Sequence, residues 1–482
     1  MEDKKYIKLI TSTEIAEYSN IKGFMILKPY GYKIWENIKK IINKMLIKNK
    51  YKNVNFPLLI PKNLFDLENK YIKTFSKECA IVTHTKLIVN KNNELIIDKN
   101  SKLNEVLIIR PTSETIIWNT FNKWIKSYRD LPILINQWCN IIRIEMRNKM
   151  LIRNSEFFWQ EGHSAHINEK DALLEINKIK LLYKKLIKYY LSIPYISGYK
   201  TNKEKFSGAK FTYTFETITK NKGKFIQLAT IHFLSKIFSK AFNVKYINKN
   251  NIEKYPYGTS CGISTRLIGA LIMVHNDDHG LLLPPKIAPI QVIIIPIISN
   301  IKKKKKIINF IKFIKNNLKK KKIKVKYDNT SKTPGYKFYK YENMGVPIRI
   351  TIGKNEINKN IIEITRRDTF KKKYLYLKKN LNKKILNILN RIQKNLYKIA
   401  KNNINKKTYK IDNYNEFKNR ISTNCGLILS HWDNNTKTEL KIQKETRATI
   451  RCIPIQKKFK EIGKCIYSGK KSNQRVVFGK SY

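Results

Sequence analysis

Polar and apolar residues alternate most regularly on either side of a short basic loop in the first half of the chain. Charged residues occupy every second position in residues 143–147, and Trp159, Glu161 and His163 do so in the next segment. Residues two apart on a β-strand share a face of the sheet. If the two segments pair as strands through the loop at 147–154, one face collects cations, carboxylates, an aromatic ring and a histidine. A solvated hairpin with ordinary surface charges would give the same alternation, so this stretch alone does not decide its function.

A helix is predicted just upstream, in the stretch RPTSETIIWNTFNKWIKSYRDLP at residues 110–132. Thr112 and Ser113 stand where a helix cap belongs, because their hydroxyl groups can accept hydrogen bonds from the first amides of a helix. Four apolar residues then recur at helical spacing, which predicts a buried stripe. These residues are Ile117, Phe121, Trp124 and Tyr128.

A second helix is predicted downstream, in YPYGTSCGISTRLIGALIMVHNDDHGLLLPP at residues 255–285. A turn rich in Gly, Ser and Thr is expected to open a helix that is apolar on all sides and must therefore be buried. Arg266 falls in the first turn of this helix, where a cation opposes the helix macrodipole. Arg266 is thus poorly explained as a stabilising residue and better explained by an anion that it has to bind.

The hydrophobic pattern changes near residue 288. The segment VIIIPII at 292–298 predicts a buried strand, and a lysine-coated helix with apolar residues at helical spacing follows it. Strands and helices then alternate up to a long Lys- and Asn-rich helix near 380–407, which predicts a compact α/β domain. The predicted domain ranges are 1–287, 288–396 and 397–482.

The 482-residue chain carries 98 Lys and Arg against 35 Asp and Glu, a formal net charge of +63 that suits a polyanionic partner. However, Lys, Ile, Asn and Tyr are abundant while Gly and Pro are scarce, as drift toward AT-rich codons would produce, so charge alone is weak support. The N-terminus is too polar for a secretory signal, no apolar run approaches the ~20 residues of a membrane span, and the six cysteines form no CxxC pair. These features favour a cytoplasmic protein without a membrane partner.

Motifs spread over nearly the whole chain resemble, in the same order, those of the prolyl-tRNA synthetases, a family of class II aminoacyl-tRNA synthetases. The resemblance is to the shorter type of this family, which has a C-terminal extension domain and no inserted editing domain. The interval between the basic hairpin and Gly258 is too short for such an insertion. The stretches that carry the resemblance are RPTSE, LPILINQWCNIIRIE, FFWQEGHSAH, EKFSGA, QLATIHFL, GISTRLIGALIMVH, GLLLPPKIAPIQV, ENMGVPIRITIG, TRRDT, ETRATIRCIP and SGKKSNQRVVFGKSY.

The resemblance implies an α/β (α+β) fold with an antiparallel-sheet catalytic core at 1–287, an α/β anticodon-binding domain at 288–396 and a small α/β C-terminal domain at 397–482. It also implies a ligase that uses ATP, with Mg²⁺, to activate L-proline as prolyl-adenylate. The enzyme would then transfer the prolyl group to the 3′ end of tRNA(Pro), giving AMP and pyrophosphate. Neither step needs a protein nucleophile, so catalysis would depend on alignment and on neutralising phosphate charge, which rigid arginines do well.

The resemblance further implies roles for residues at matching motif positions. Arg143 would hold the α-phosphate and the proline carboxylate, and Arg266 would hold the γ-phosphate, so these two are the predicted catalytic residues. The residues predicted to bind ATP are Arg143, Glu145, Arg153, Asn154, Gln227, Thr230, Ser264 and Arg266. The residues predicted to bind proline are Thr112, Glu114, Arg143, Trp159, Glu161, His163, Phe206 and His232. Taken singly, a ring or a histidine here would more often belong to the core; the match to separate motifs favours the pocket.

Assignments outside the pocket follow from the same resemblance. Glu342, Arg349 and the TRRDT stretch at 365–369 would lie near the anticodon loop of the tRNA. Pro57 matches the motif through which such enzymes form a homodimer. Tyr482 matches a terminal residue that reaches back toward the active site.

The chain departs from the family pattern at three places, one of which is the stretch RNKMLIRN at 147–154, which is shorter than in many relatives. Cys261 stands where relatives often have Trp, just before the expected turn at Gly262. Some relatives bind zinc in the C-terminal segment through four cysteines, but here Ser468 occupies one of those positions, and a structural zinc site normally needs four ligands. No structural zinc or other protein-held metal is therefore expected. The remaining candidate ligands are Cys425, Cys452, Cys465 and His431.

Three other functions stay open at this point. A synthetase of the same class for threonine or glycine would share the arginines, but the pocket aromatics and EKFSGA argue against it. A degenerate paralogue that binds tRNA without catalysis would be expected to lack Arg143, Glu114 or Arg266, and all three are present. A general nucleic-acid-binding protein would bind any polyanion with steep salt dependence and without chemistry that needs proline or ATP.

Overall fold

The computed structural model describes residues 2–72, 78–298, 304–377, 380–423 and 425–482. None of the helices in these ranges combines the length and the apolar character needed to cross a membrane.

The predicted catalytic region begins with short strands and helices and continues with long strands. Up to residue 130 the elements are α1 (Glu2–Ser12), β1 (Ala16–Tyr18), β2 (Met25–Leu27), α2 (Pro29–Lys48), β3 (Lys52–Val54), β4 (Leu59–Pro61), α3 (Lys62–Tyr71), β5 (Ile81–His84), β6 (Leu87–Val89), β7 (Leu95–Ile97), β8 (Lys102–Ile109) and α4 (Glu114–Trp124). The elements that follow are β9 (Ile133–Ile142), β10 (Glu156–His166), α5 (Glu169–Lys185), β11 (Ile196–Tyr199), β12 (Phe211–Ile218), β13 (Phe225–Ser235), α6 (Ile237–Ala241), β14 (Tyr246–Ile247), β15 (Glu253–Lys254), β16 (Tyr257–Ser264), α7 (Arg266–Val274), β17 (Asn276–Asp277) and β18 (Gly280–Leu281).

The rest of the chain alternates strands and helices, as the sequence predicts. The middle region contains β19 (Val292–Pro296), α8 (Lys304–Lys320), β20 (Val325–Tyr327), α9 (Pro334–Asn343), β21 (Ile348–Ile352), α10 (Lys354–Asn358), β22 (Ile361–Arg366), β23 (Lys372–Tyr376) and α11 (Leu381–Lys406). The last region contains β24 (Thr408–Lys410), α12 (Tyr414–Thr423), β25 (Leu427–His431), α13 (Thr436–Thr446), β26 (Thr449–Pro454), β27 (Gly463–Lys464), β28 (Lys471–Ser472) and β29 (Arg475–Gly479).

One long sheet joins seven described strands of the first region to four of the last. Its spatial order is β24, β25, β29, β26, β11, β12, β13, β16, β10, β9, β3. The central strands from β11 to β9 are antiparallel. One face packs under α2, α5 and α7, where Phe215, Ile231 and Ile263 join the largest hydrophobic core cluster. Because side chains alternate between the faces, the residues between them point to the opposite, more polar face.

The middle region is a five-stranded sheet packed against helices, and the alternation of strands and helices predicted from its sequence is confirmed. Strands β20, β19 and β21 are parallel, and β22 and β23 continue the sheet in antiparallel fashion. The apolar stripe of α8 is buried against this sheet together with α11. The stripe consists of Ile307, Ile311, Ile314 and Leu318. The fold class, a mixed α/β architecture with an antiparallel-rich sheet, agrees with the prediction.

The last region is joined to the first by the pairing of two strands and by buried charged side chains. Gly198 and Tyr199 of β11 pair with Pro454 and Ile453 of β26. A Cβ atom at Gly198 would lie only 2.1 Å from the carbonyl oxygen of Ile453, so glycine is required for this close approach. Helix α11 runs continuously through position 396, where the sequence pattern suggested a boundary.

Buried charges reinforce this connection. Glu216 of β12 accepts hydrogen bonds from Lys200 Nζ at 2.7 Å and from Arg451 Nη2 at 3.0 Å. All three side chains are buried. Removing one partner would leave an uncompensated charge in the interior, so this triad links the two regions firmly.

Two local predictions are wrong. The Gly/Ser/Thr stretch at 257–264 is not a turn but the central strand β16, because β10 and β13 pair with both of its edges. The buried stripe predicted for α4 holds for Ile117 and Phe121 but not beyond. The helix ends at Trp124, whose side chain is 45% exposed, and Tyr128 begins a separate 3₁₀ turn.

Candidate active site

The candidate site lies on the polar face of the long sheet, where β10, β16 and β13 run side by side. Trp159 of β10 is opposite Ser264 of β16, and Glu161 is opposite Gly262. Gly262 is in turn opposite Thr230 of β13. The missing side chain at Gly262 leaves the middle of this row open, so the three strands form a floor with polar groups around it.

Five of the predicted ATP-binding residues line a single pocket above this floor. They come from the end of β9, from β13, from β16 and from the start of α7. These five residues are Arg143, Gln227, Thr230, Ser264 and Arg266, and the aromatic rings of Phe157 and Trp159 also line the pocket. The structure therefore brings together residues that are up to 123 positions apart in the chain, from Arg143 to Arg266.

Arg143 is held by the backbone at the mouth of this pocket. It does not lie on a strand as predicted, because β9 ends at Ile142. Its N–H donates to the carbonyl of Ser155 at 2.7 Å, and its Nε donates to the carbonyl of Pro111 at 2.8 Å. The guanidinium carbon lies 5.6 Å from the ring centroid of Trp159, within cation–π range. Burial lowers the pKa of Arg143, but a guanidinium starts so high that it remains a cation.

Arg266 is the first residue of α7, as predicted, and the following helix is buried and apolar. Its Nε donates to the carbonyl of Ile152 at 2.8 Å. Burial and, to a smaller extent, the positive charges of Arg153 and Arg143 lower the pKa of Arg266 to about 10. The site therefore concentrates three guanidinium groups, which is the electrostatic setting that a polyphosphate requires.

The loop between β9 and β10 carries the remaining predicted ATP-binding residues. Lys149 and Arg153 exchange backbone hydrogen bonds of 2.7 and 2.8 Å, which close the loop. Arg153 Nε lies 3.7 Å from Glu145 Oε2. Asn154 is buried, and its Oδ1 has no hydrogen-bond partner among the residues that the structure describes. The loop thus places a cation, a carboxylate and an amide next to the arginine cluster.

Glu161 has the densest set of hydrogen bonds in the site. Its Oε1 accepts hydrogen bonds from Ser113 Oγ at 2.5 Å and Gln137 Nε2 at 2.9 Å. Cys139 Sγ lies 3.3 Å from the same oxygen, and His163 Nε2 lies 3.0 Å from Oε2. Burial by itself would raise the pKa of Glu161, but the hydrogen bonds and the charge of His163 lower it below its usual value. The carboxylate therefore stays ionised although it is buried.

The two predicted histidines differ in protonation. Burial alone would lower the pKa of His163, but the hydrogen bond and charge of Glu161 raise it above the usual value. Burial and the positive charges of His163 and Arg143 lower the pKa of His232 to about 3, and its Nδ1 lies 2.9 Å from Thr212 Oγ1. These shifts favour the charged form of His163 beside the Glu161 carboxylate and the neutral form of His232.

The other predicted proline-binding residues complete the enclosure. The Phe206 ring centroid lies 4.9 Å from that of His232, and the two ring planes are tilted by 47°, so each ring presents its own flat face. The Thr112 hydroxyl donates to the Glu114 carboxylate, and both residues are buried. Ser113 occupies the N-cap position of α4, but its hydroxyl donates to Glu161 and makes no capping bond, so the predicted capping role is wrong.

Sequence reasoning missed two residues of this network, Gln137 and Cys139. Gln137 Oε1 accepts a hydrogen bond from the backbone N–H of Phe56 at 2.5 Å, while its Nε2 donates to Glu161. Both residues have the same odd–even position along β9 as Arg143. Extending the alternation backward from Arg143 would have predicted them on the polar face.

Arg349 and Arg367, predicted to lie near an anticodon loop, make contacts within the protein. Arg349 forms an ion pair with Glu342, and its guanidinium carbon lies 3.9 Å from the Phe338 ring centroid. Arg367 donates to both carboxylate oxygens of Asp277 at 2.6 Å. Arg367 therefore joins the middle region to the first.

Tyr482 contacts the start of β13 and the β9–β10 loop. The N–H of Tyr482 donates to the carbonyl of Phe225 at 3.0 Å, where β13 begins. Lys149 Nζ of the β9–β10 loop lies 3.4 Å from the Tyr482 ring centroid. On the opposite side, Arg110 Nη1 donates to the carbonyls of Phe56 and Pro57 at 2.8 and 3.2 Å.

The cysteines have no catalytic or metal-binding arrangement in the described residues. Burial raises the pKa of the Cys261 thiol to about 11, which opposes nucleophilic reactivity. Across the described ranges, no group of three or more His, Cys, Asp or Glu side chains could hold a metal ion. Ser468 donates instead to the carboxylate of Asp433 at 2.7 Å.

Comparisons with known proteins match the chain along its length. The model of the tRNA synthetase class II core domain (G, H, P, S and T) matches residues 96–275, the anticodon binding domain matches 291–388, and the prolyl-tRNA synthetase C-terminal domain matches 414–482. A proline–tRNA ligase of Azobacteroides pseudotrichonymphae is 46% identical over 99% of this chain and 96% of that protein. One of Bacteroides fragilis is 45% identical over the same shares.

A solved structure agrees with these sequence matches. The prolyl-tRNA synthetase of Cryptosporidium parvum, crystallised with L-proline and AMP, superposes with a TM-score of 0.90. It is 35% identical, and the match covers 99% of this chain and 94% of that one. A second structure from the same organism contains halofuginone and AMPPNP and matches equally well.

Proposed function

The chain belongs to the prolyl-tRNA synthetase family of class II aminoacyl-tRNA synthetases, and on this premise we propose that it ligates L-proline to tRNA(Pro) at the expense of ATP. The observation that carries the proposal is that two groups of residues, one suited to phosphate and one suited to an amino acid, lie side by side on one face of the sheet. A cluster of guanidinium groups lies next to a buried Glu161–His163 pair enclosed by aromatic rings. Similar proteins carry the name proline–tRNA ligase, and a similar structure holds proline and AMP.

In the first step, a carboxylate oxygen of proline attacks the α-phosphorus of ATP. The bond to the β-phosphate breaks, and pyrophosphate leaves prolyl-adenylate behind. Arg143 would hold the α-phosphate and the proline carboxylate, because it lines the pocket with its guanidinium carbon 5.6 Å from the centroid of the Trp159 ring. Arg266 would hold the γ-phosphate. Neutralising phosphate charge as it develops, without reorganising the site, is the main source of acceleration for such a reaction.

Proline would be recognised by charge on one side and by shape on the other. The ionised Glu161, with Glu114 and Thr112, offers acceptors for the secondary ammonium group. Phe206 and the neutral His232 offer flat walls for the ring. A neutral His232 matters because a second cation here would repel the ammonium group of the substrate.

The adenosine and the metal are proposed on similar grounds. Glu145 and Arg153 of the loop, with Asn154, would contact the nucleotide, while Gln227, Thr230 and Ser264 line the pocket from the strands. Mg²⁺ would accompany ATP. The described residues contain no group of three or more metal-binding side chains, and Mg²⁺ that accompanies a nucleotide usually takes waters, phosphate oxygens and one or two carboxylates as ligands, so it would enter with ATP.

In the second step, the terminal ribose hydroxyl of the tRNA attacks the carbonyl carbon of prolyl-adenylate, and AMP leaves. We propose residues 288–396 as the anticodon-binding domain, with Glu342, Arg349 and the 365–369 stretch near the RNA, and 397–482 as the C-terminal domain. The enzyme would act as a homodimer around Pro57, in the cytoplasm.

The test is amino-acid-dependent exchange of pyrophosphate into ATP without tRNA. We expect exchange with proline and little with threonine or glycine, and loss of exchange in Arg143→Ala. Exchange that prefers threonine or glycine would assign the chain to another amino acid. No exchange from protein shown to be folded would favour a tRNA-binding paralogue.

A further inference from the structure

The loop at residues 200–210 joins β11 to β12 and carries Phe206, whose ring is one of the walls proposed for proline. Near the start of this loop, the Thr201 hydroxyl donates a hydrogen bond to Glu439 Oε1 at 3.0 Å. Glu439 lies on α13, 238 positions further along the chain. A helix of the last region therefore contacts the loop that shapes the proline side of the site.

A second contact between the loop and α13 lies one helical turn away. Lys203 Nζ donates to Gln443 Oε1. Residues four apart on a helix share a face, so Glu439 and Gln443 present two acceptors to the loop from the same side of α13. Within the loop, the N–H of Glu204 donates to the carbonyl of Thr201 at 3.1 Å. The turn that leads toward the pocket thus begins at the residue that Glu439 holds.

The far end of the loop has little freedom where it meets the pocket. The N–H of Phe206 donates to Thr212 Oγ1 at 3.0 Å, and the same hydroxyl lies 2.9 Å from His232 Nδ1. A Cβ atom at Gly208 would lie 2.5 Å from the Phe238 ring, so the backbone approaches the core closely here. A displacement of the loop by about 1 Å would move the Phe206 ring relative to His232, and a displacement of that size is enough to impair an aligned site.

Stability alone explains Glu439 poorly. The pairing of β11 with β26 and the buried triad around Glu216 already join the two regions. Glu439 is buried, and its Oε2 has no hydrogen-bond partner among the residues that the structure describes. Burial raises the pKa of Glu439 by more than the hydrogen bond from Thr201 lowers it. A buried carboxyl group with one unsatisfied oxygen is a costly way to pack a helix against a loop.

We propose that Glu439 is a positioning residue for proline, which acts by holding Thr201 and thereby fixes the loop that places the Phe206 ring. The inference rests on the proposed function and gives the last region a part in recognising the amino acid. Neither Glu439 nor Thr201 is among the described residues that line the arginine-rich pocket. Loss of the contact should therefore affect proline and not ATP.

A matched pair of valine variants tests the proposal. Thr201→Val removes the donor to Glu439, and Thr438→Val removes a hydroxyl of α13 that donates to Asp433 Oδ2 at 2.8 Å. Both threonines are buried, so the same substitution removes one buried hydrogen bond in each variant.

The two variants should differ in pyrophosphate exchange. We expect Thr201→Val to raise the KM for proline about tenfold and to leave the kcat and the KM for ATP unchanged. Thr438→Val should change none of these constants. An unchanged KM for proline in Thr201→Val, or an equal rise in both variants, would overturn the proposal.

Variants of Glu439 test the other partner of the contact. Glu439→Gln keeps an oxygen that can accept from Thr201 and should resemble the wild type, whereas Glu439→Ala should resemble Thr201→Val. The double variant Thr201→Val/Glu439→Ala should raise the KM for proline no more than either single change, because both remove the same contact. Additive effects, or a rise in Glu439→Gln as large as that in Glu439→Ala, would contradict the proposal.

Hydrogen exchange of the full-length chain without substrates separates this inference from the proposed function. The amides of residues 200–210 should exchange faster in Thr201→Val and Glu439→Ala than in the wild type and Thr438→Val. Equal amide exchange in all four proteins would overturn the inference, and proline-dependent pyrophosphate exchange in the wild type would still support the function. A wild type without proline-dependent exchange would refute the function, and with it the role in recognising proline, even if the loop were loosened as expected.

Discussion

The two halves of the candidate site treat charge in opposite ways. On the ATP side, Arg143 and Arg266 each donate from Nε to a backbone carbonyl, which orients the guanidinium without neutralising it. On the proline side, the carboxylate of Glu161 is compensated by His163 and by neutral donors such as Gln137. Burial, with the neighbouring cations Arg153 and Arg143 adding to it, lowers the pKa of Arg266, while on the other side Glu161 and His163 each favour the charged form of the other.

This difference indicates how each half recognises its ligand. The ATP side concentrates guanidinium groups, a setting that suits a polyanion such as a triphosphate. On the proline side, the charge of Glu161 is already compensated before the ligand binds, so this side recognises its ligand by the fixed positions of hydrogen-bond acceptors and rings. Substitutions on the two sides should therefore alter different kinetic constants.

The largest effect is expected on the ATP side. Arg266→Ala should lower the kcat of pyrophosphate exchange by about 100- to 1000-fold, because one fixed donor to developing phosphate charge is lost. Proline affinity, measured by equilibrium dialysis without ATP, should not change. Arg266→Lys keeps the charge and should lose less. An equal loss of proline affinity in Arg266→Ala would contradict the division of the site.

A second prediction concerns selectivity on the proline side. Walls such as Phe206 and His232 can exclude larger amino acids, but each missing methylene costs a ligand only about 1–3 kcal/mol, or roughly 10- to 200-fold. We therefore expect alanyl- and cysteinyl-adenylate to form at high amino-acid concentration. The residues between β10 and β16 are occupied by core strands and helices, so no editing insertion lies there. Absence of both adenylates under saturating conditions would show a tighter pocket.

A smaller effect is expected from Gln137. Gln137→Leu removes a donor to Glu161 and the acceptor for the N–H of Phe56, and should raise the KM for proline about tenfold while leaving the KM for ATP unchanged. Gln160 offers a matched control, since it is equally buried on the other face and bonds to Asn136. Gln160→Leu should cost comparable stability without a selective effect on proline. A similar change in both KM values for Gln137→Leu would argue against a positioning role.

The smallest effect is a pH dependence of stability. The folded-state pKa of His163 is raised above its usual 6.5, so its contribution is complete below that value and is lost as pH rises through the raised pKa. The pKa of Glu161 is lowered below its usual 4.5, so its contribution is present above that value and is lost as pH falls. The free energy of unfolding of the wild type should therefore exceed that of His163→Gln by more near about pH 6 than near about pH 9. Chemical denaturation at both values measures the difference, and an equal gap would show that the pair is not ionised.

Much of the fold followed from local patterns, and the failures have identifiable causes. The stripe of α8 and the strand β19 were predictable because burial on one face or on both leaves a periodic trace. The stretch at 257–264 looked like a turn because Gly, Ser and Thr dominate it. Its strand conformation comes from two partner strands, β10 and β13, that are distant in sequence. A glycine is needed at position 258 because a Cβ atom there would lie 2.3 Å from the Trp118 ring.

The site shows the same limit. Trp159, Glu161 and His163 were placed correctly on one strand, because alternation is a local property. Alternation along β9 is enough to place Gln137 and Cys139 on the polar face, but only the pairing with β10 shows that Gln137 lies opposite Glu161. Ser113 looked like a helix cap, and only the fold shows that a buried carboxylate competes for its hydroxyl group.

The sequence by itself determined the kinds of residue available, the alternating and helical elements that carry them, and the order of motifs that resembles one enzyme family. The tertiary structure alone decided which charges meet. Pairing across β9, β10, β16 and β13 turns residues far apart in the chain into two adjoining sites, one with a cluster of guanidinium groups and one with a buried carboxylate compensated by a histidine and neutral donors. The physical reason is that pKa values, hydrogen bonds and burial depend on distances in space, which a periodic pattern along the chain does not encode.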